Sequence, residues 1–536
     1  MKTIRNPSER RLFNPFEGVI GRTGWKKIET GWQSLFRDVL LEQMPVKEVS
    51  AQMSESEGRP SAELYSMIGL LLIREFHGWT VPETHDVILF RSDIQFAVNL
   101  EPGFDVSQRT IERYLSKLQS TEHVSEEIFT RVTDTLLTSL EVKVKKQRLD
   151  STHFLSDMAV LGRSRMMGVA LKRFLHQIIK HTPEQLDRIS EDLQKRYCKQ
   201  SDSRIFSDAN TTEKRRLALQ QVAEDMACVL SLFADTPVIQ EWKTFLNLRT
   251  IFDQQCEIRE EFVEIRKKTG GHVIQNPSDP DATYDGHKGV GYQVQICETF
   301  NEDGQPNLIT SAIVETAVCS DADAVAGTLE DLENRGLLPD ELTADTGYGS
   351  DENVTLAESK GVTLTAPVPG GKNFDPNEVG YDLFVLSDKN EVTACPAGHA
   401  PKSSHFNEQN NSVWAQMDPA LCRECPLVAH CRVQKDTTTG EPNGRVQFRA
   451  DAPRAARRRR HEQTEEFRGT YRWRAGIEST NSGLKRRLGL NRLRVRGMKA
   501  VKLTIMLKLA AWNILRAVAM RLHTQKSVNS LQAKPA

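Results

Sequence analysis

Apolar residues recur along the chain with two different periods, and the switches between those periods divide it. From about Ser61 to Gln119 the period is helical. LYSMIGLLLIREF is apolar with few breakers, Glu101, Pro102 and Gly103 mark a turn, and DVSQRTIERYLSKL follows. There Ile111, Tyr114, Leu115 and Leu118 repeat at i, i+3, i+4 and i+7 behind Ser107 as N-cap. A turn followed by such a helix fits a helix-turn-helix module whose Arg109, Thr110 and Arg113 face DNA, and it fits an ordinary helical bundle equally well. After KVKKQRLDST, residues from about Gly162 to Lys268 keep helical spacing, as in LALQQVAEDMACVLSLF, and read as a helical insertion. The period then falls to two. GYQVQICETF alternates Tyr292, Val294 and Ile296 with polar residues, and NLITSAIVETA is rich in β-branched residues, so both predict strands. DADAVAGTLEDLENRG predicts a helix closed by Gly336, and LLPDELTADTGYG a turn feeding a short strand that ends near Asp345.

The helical period returns in YRWRAGIESTNSGLK. At about 100° per residue, Arg474, Glu478 and Lys485 lie within roughly 60° of arc of Tyr471, so one continuous helix would carry all four on a single polar stripe. Trp473, Ile477, Leu484 and Leu488 form a second stripe that can pack on a core while the polar one looks along its edge.

Charge changes the picture only through its distribution. The 71 Lys and Arg nearly balance the 72 Asp and Glu among 536 residues. From Asp451 to Ala500, however, 15 cations face 5 anions, including the run RAARRRR, and this excess surrounds the polar stripe. A solvated helix face and a phosphate-binding surface both fit such a run, and the stripe favours the second. MKTIRNPSERRLFNPF lacks the apolar core of a signal peptide, and Lys508 and Arg516 interrupt the apolar stretch from Ile505 to Met520, so neither secretion nor a membrane span is expected.

Asp150 in RLDSTH and Asp345 in TADTGYGS are predicted at strand ends. Together with Glu478 they offer hard oxygen ligands from separate elements, which divalent-metal phosphoryl transfer requires. The spacing Tyr471, Arg474, Glu478, Lys485 matches the Y-(2)-R-(3)-E-(6)-K signature of DDE transposases from bacterial insertion sequences, and DSTH and ADTGY resemble that family's two aspartate motifs. The segment beginning DPDATYDGHKGVGYQVQ at Asp279 and the helical N-terminal region resemble companion segments of one subgroup, so the resemblance runs from about Ser61 to Met520. It implies an α/β fold: a ribonuclease-H-like core with a helical N-terminal DNA-binding region, a helical insertion and a small cysteine-bearing insertion. It also implies two Mg²⁺ (or Mn²⁺) ions held by Asp150, Asp345 and Glu478, with Tyr471, Arg474 and Lys485 on the DNA. The expected activity is binding of terminal inverted repeats, Mg-dependent cleavage and joining of 3′-hydroxyl ends to target DNA, by a homodimer on double-stranded DNA in a bacterial, nucleoid-associated setting. The rivals are a nuclease of the same fold without end joining, and a non-catalytic DNA-binding derivative.

Nine cysteines in such a chain are expected as thiols. Cys395, Cys422, Cys425 and Cys431 cluster in ACPAGH and CRECPLVAHC, where a C-x2-C pair with two more cysteines can close a tetrahedral Zn²⁺ site, the alternative being free thiols. The expected boundaries are 1–60, an N-terminal arm; 61–140, the helical DNA-binding domain; 141–161 with 271–390, the first part of the core; and 162–270, the insertion. The cysteine-bearing insertion follows at 391–450, the basic segment and C-terminal helices at 451–522, and a disordered tail at 523–536.

Overall fold

The structure, a computed structural model, describes residues 2–7, 13–55, 59–260, 262–302, 304–370, 375 and 377–532, with 521–532 described by their backbone. The N-terminal third is helical. Helix α1 (Leu64–His77) is apolar nearly all round and is buried accordingly, α2 (Gln108–Ser120) opens on the Ser107 side chain accepting from the Thr110 amide, and α3 (Val124–Ser139) leads into the sheet. The apolar repeat of α2 turns inward, with Ile111, Tyr114 and Leu118 buried.

Among the described residues the central sheet has six strands: β1 (Lys146–Phe154), β2 (Thr283–Asp285), β3 (Gly289–Thr299), β4 (Ile309–Thr316), β5 (Glu341–Ala344) and β6 (Thr363–Thr365). β3 pairs antiparallel with β4 and the short β2 on one side and with β1 on the other, and β1, β5 and β6 then run parallel. The alternation in β3 sorts its residues between two cores. Tyr292, Val294 and Ile296 join the large cluster built with α1, α2, α3 and the C-terminal helix, and Cys297 joins a smaller one under α4 (Ala324–Asn334). Both faces are covered, so the polar members Gln293 and Gln295 are buried and bonded to Glu315. Helix α4 is followed, as its sequence predicts, by Gly336 in the left-handed region at φ 66°.

Three features differ from the sequence reading. Asp150 lies in the middle of β1, because β1 runs on past β5 and stays paired with β3 as far as Phe154. The stretch from Tyr471 is not one helix: a helix ends at Tyr471, Arg472–Ala475 form a 3₁₀ turn, and α5 (Gly476–Arg487) begins afresh. The C-terminal helix α6 (Met498–Gln532) stays helical through 523–532, where a disordered tail is predicted, and residues 533–536 lie outside the described residues. By length and composition Met498–Met520 could cross a bilayer, yet 72% of its apolar window is buried, chiefly against α3 and α1. Asn513, fully buried within it, donates to Ile309 O and accepts from Ile309 N, capping the edge of β4.

Residues 163–255 form helices with their own apolar core, and they end in a hairpin, Cys256–Arg259 with Phe262–Ile265, that the helical period did not predict. The cysteine-bearing stretch is a small three-stranded antiparallel sheet (Ser403–Asn407, Ser412–Gln416, Arg445–Arg449) with a core of Phe384, Val413, Val446 and Phe448.

Candidate active site

The register of β1 and β5 brings the first two aspartates together. Leu149 pairs with Ala344 in the last step of the parallel ladder, so Asp150 and Asp345 are the next residues on two neighbouring strands. Asp345 leaves the sheet there and caps the following 3₁₀ turn, its Oδ1 accepting from the Gly347 amide at 2.8 Å.

Helix α5 carries Glu478 to the same place, and its sequence seats it in three ways. Ile477, Leu484 and Leu488 are buried, as their stripe predicts. Gly483 admits the Trp512 ring of α6 so closely that a Cβ would meet it at 2.2 Å. Beneath the first turn, Arg148 of β1 reaches up: its Nη1 donates to Trp473 O at 2.9 Å, its Nε and Nη2 hold Glu298 of β3 at 2.7 and 2.6 Å, and Glu298 also accepts from Thr480 Oγ1 at 2.7 Å. Both ions of this pair are buried. Burial pushes the Glu298 carboxyl upward, while Arg148 and Thr480 pull it down. Sequence reasoning missed Arg148 and Glu298. Charged residues inside strands predicted to bury apolar ones were the available signal.

The three carboxylates meet around one cation. Arg474, from the 3₁₀ turn, places Nη2 3.2 Å from Asp150 Oδ1 and 3.8 Å from Asp345 Oδ2, and Nη1 3.1 Å from Glu478 Oε1. Asn481 Nδ2 donates to Asp150 Oδ2 at 3.2 Å. Burial pushes the Asp150 carboxyl up to about 6 against the pull of Arg474, with Asp345 adding to the rise. Glu478 is exposed at the rim. Among the described residues no three His, Cys, Asp or Glu side chains stand close enough to hold a metal ion as placed. At this site a guanidinium stands between the acids. The donor set itself, three carboxylates converging from two strands and a helix, suits a hard divalent ion.

Of the other predicted contacts, half-buried Tyr471 stacks on Phe467 at 5.5 Å, and Lys485 lies near enough to His153 to help burial hold that imidazole's pKa down. Arg109 and Arg113 are exposed on α2, where Arg109 pairs with Glu112 at 3.2 Å and Thr110 bonds Ser107. A groove of about 330 Å³ opens beside the end of α5, lined by Arg486, Arg487, Arg492 and Arg494 and by His77 and Trp79, whose rings stack at 4.3 Å. Burial lowers His77 to about 4, so that imidazole adds no charge to the groove near neutral pH.

Cys395, Cys422, Cys425 and Cys431 line one cavity of about 30 Å³ with His399, and the hairpin of Ser403–Asn407 and Ser412–Gln416 spans the long gap between the first two. Burial and the three neighbouring thiols push Cys422 up to about 11.

Comparison with known proteins adds three observations. No curated protein matches the sequence. A solved structure, the cryo-EM synaptic complex of piggyBac transposase with hairpin DNA, aligns over 92% of this chain and 75% of that chain at 9% identity with a TM-score of 0.31. Residues 394–518 match the family described as Transposase DDE domain, a stretch that includes the cysteine cluster, the basic helix and all of Tyr471, Arg474, Glu478 and Lys485, and leaves Asp150 and Asp345 outside it.

Proposed function

We propose that the chain is a DDE transposase with a ribonuclease-H-like core, in which Asp150, Asp345 and Glu478 perform metal-dependent phosphoryl transfer on DNA. The observation that carries the reading is the meeting of three carboxylates, from adjacent parallel strands and a late helix, around a single guanidinium. The match of residues 394–518 to a transposase DDE domain and the sheet order support it, with antiparallel neighbours on one side of β1 and parallel ones on the other.

Two divalent ions held by these carboxylates supply activation of a water or 3′-hydroxyl and charge neutralisation at the leaving oxygen. The chain's own residues do the rest. Asp345 is fixed by its cap, Asp150 by the ladder and Asn481, and Glu478 by the Arg148, Glu298 and Thr480 network under α5. Lys485 and the arginines of the groove beside α5 hold DNA phosphates near the acids, the arginines through planar forks and Lys485 as a point charge. Tyr471 bonds a phosphate or stacks on a displaced base. Arg109, Thr110 and Arg113 face DNA from the helical N-terminal region, and the protein acts as a homodimer on the ends of its element. The four cysteines line one cavity without standing close enough as placed to ligate together, and they would close on a structural Zn²⁺ that braces the small sheet preceding the basic helix.

The test uses Asp150→Asn, Asp345→Asn and Glu478→Gln. Each abolishes Mg-dependent nicking of a duplex carrying the element's end while leaving the gel-shift affinity for that duplex nearly unchanged. Near wild-type cleavage by any one of them removes that residue from the triad. Recovery of strand-joined product from the wild type separates the transposase from a nuclease that only cuts.

A further inference from the structure

Arg474 is held differently from the other arginine of the site. Arg148 is clamped by Glu298 and by the Trp473 carbonyl, groups with no part in phosphoryl transfer. Arg474 touches Asp150, Asp345 and Glu478 through its terminal nitrogens, while its Nε is buried with no hydrogen-bond partner among the described residues. Those carboxylates are the ligands under the proposed function, and the guanidinium stands among them where a cation is wanted. A guanidinium does not lose its proton in a protein, so it can yield the place only by moving. Its other good partner is a phosphate, which accepts the same two parallel N–H groups as a carboxylate. One side chain therefore has two kinds of good partner, carboxylate and phosphate, which it cannot serve with the same N–H groups at once.

We propose that Arg474 is the resident counter-ion of the three carboxylates, and that a DNA phosphate draws it off them, so that DNA binding and divalent-metal loading are coupled through this one side chain. The inference rests on the reading of Asp150, Asp345 and Glu478 as metal ligands. With Arg474 in place the acids are partly neutralised and held apart, and metal binds weakly. With Arg474 on a phosphate the three carboxylates face each other without a cation, and metal affinity rises. By linkage the metal tightens DNA binding by the same factor. The consequence is a nuclease centre that fills when DNA is present to be cut.

The experiment titrates the full-length protein with Mn²⁺, following the free ion by electron paramagnetic resonance, for the wild type, Arg474→Gln, Arg474→Lys and Asp150→Asn. Circular dichroism checks that each is folded. Without DNA, Arg474→Gln binds Mn²⁺ about tenfold more tightly than the wild type, a coupling of ordinary size, and Arg474→Lys, which keeps a positive charge, stays close to the wild type. Adding a short random-sequence duplex at low salt, referenced to the duplex alone, tightens Mn²⁺ binding for the wild type and leaves Arg474→Gln unmoved. A purely structural arginine gives the opposite sign, since its loss loosens the site and weakens Mn²⁺. If Asp150→Asn loses Mn²⁺ while Arg474→Gln binds no more tightly than the wild type, the counter-ion role falls and the metal centre stands. If Asp150→Asn binds Mn²⁺ like the wild type, the metal-centre reading falls, and this inference with it.

Discussion

Replacing Gly476 by Ala tests whether the buried pair under α5 fixes the helix that carries Glu478. Gly476 opens that helix, and its φ of −63° is ordinary, so backbone conformation gives alanine no penalty. Helix propensity favours the substitution by up to about 1 kcal/mol. Sterics oppose it: the new Cβ would lie 1.9 Å from Arg148 Nη1 and 2.7 Å from its Cζ. Arg148 cannot swing into solvent without abandoning Glu298, which is fully buried, and breaking a buried pair by removing one partner costs roughly 3–5 kcal/mol. The clash wins, and the expected net destabilisation is about 2–4 kcal/mol once the propensity gain is set against it. Urea unfolding of the metal-free protein followed by circular dichroism measures it, and a nicking assay should show loss of cleavage as Glu478 is displaced. The cost should also be non-additive. In an Arg148→Ala background, where nothing occupies the space, Gly476→Ala should cost nothing further. A Gly476→Ala protein as stable as the wild type, or costs that simply add in the double variant, would refute the argument.

Three further outcomes are expected. Asp150 has its carboxyl raised to about 6 in the folded state, so its contribution to stability is fully present below its unfolded value near 4 and is lost as pH rises through about 6. In metal-free protein Asp150→Asn should therefore stabilise at pH 8 by on the order of 2 kcal/mol, with a gain that shrinks toward pH 4; thermal melts across that range check it, and a pH-independent difference counts against the assignment. Lys485→Ala should lower the slope of log affinity against log salt for duplex DNA by about 1, and an unchanged slope places Lys485 off the phosphates. Purified protein should carry zinc bound by Cys395, Cys422, Cys425 and Cys431, and chelation should lower its melting temperature; elemental analysis that finds no zinc in protein unaffected by chelator leaves those cysteines as thiols.

What the sequence determined by itself is local. The buried stripe of Ile477, Leu484 and Leu488, the Ser107 cap, the strands around Val294 and Val314 and the stop at Gly336 all follow from side-chain period and from the conformations a few neighbouring residues allow. The polar stripe could be placed only roughly, because a 3₁₀ turn at Arg472–Ala475 changes the angle per residue between Tyr471 and Glu478, and nothing in the period announces it. Asp150 was misplaced for a related reason. β1 is paired on both sides over its first half and with β3 alone over its second, so its end is set by its pairing with β3, a segment about 140 residues away, and not by the end of β5. The parts of the site that matter most chemically are of this second kind. Asp150 meets Arg474 across 324 positions and Arg148 meets Glu298 across 150, and these contacts exist only after the sheet has closed and α5 has docked. Periodicity records which face of an element is apolar. Which charge stands opposite which is decided by strand register and helix packing, and so belongs to the tertiary structure.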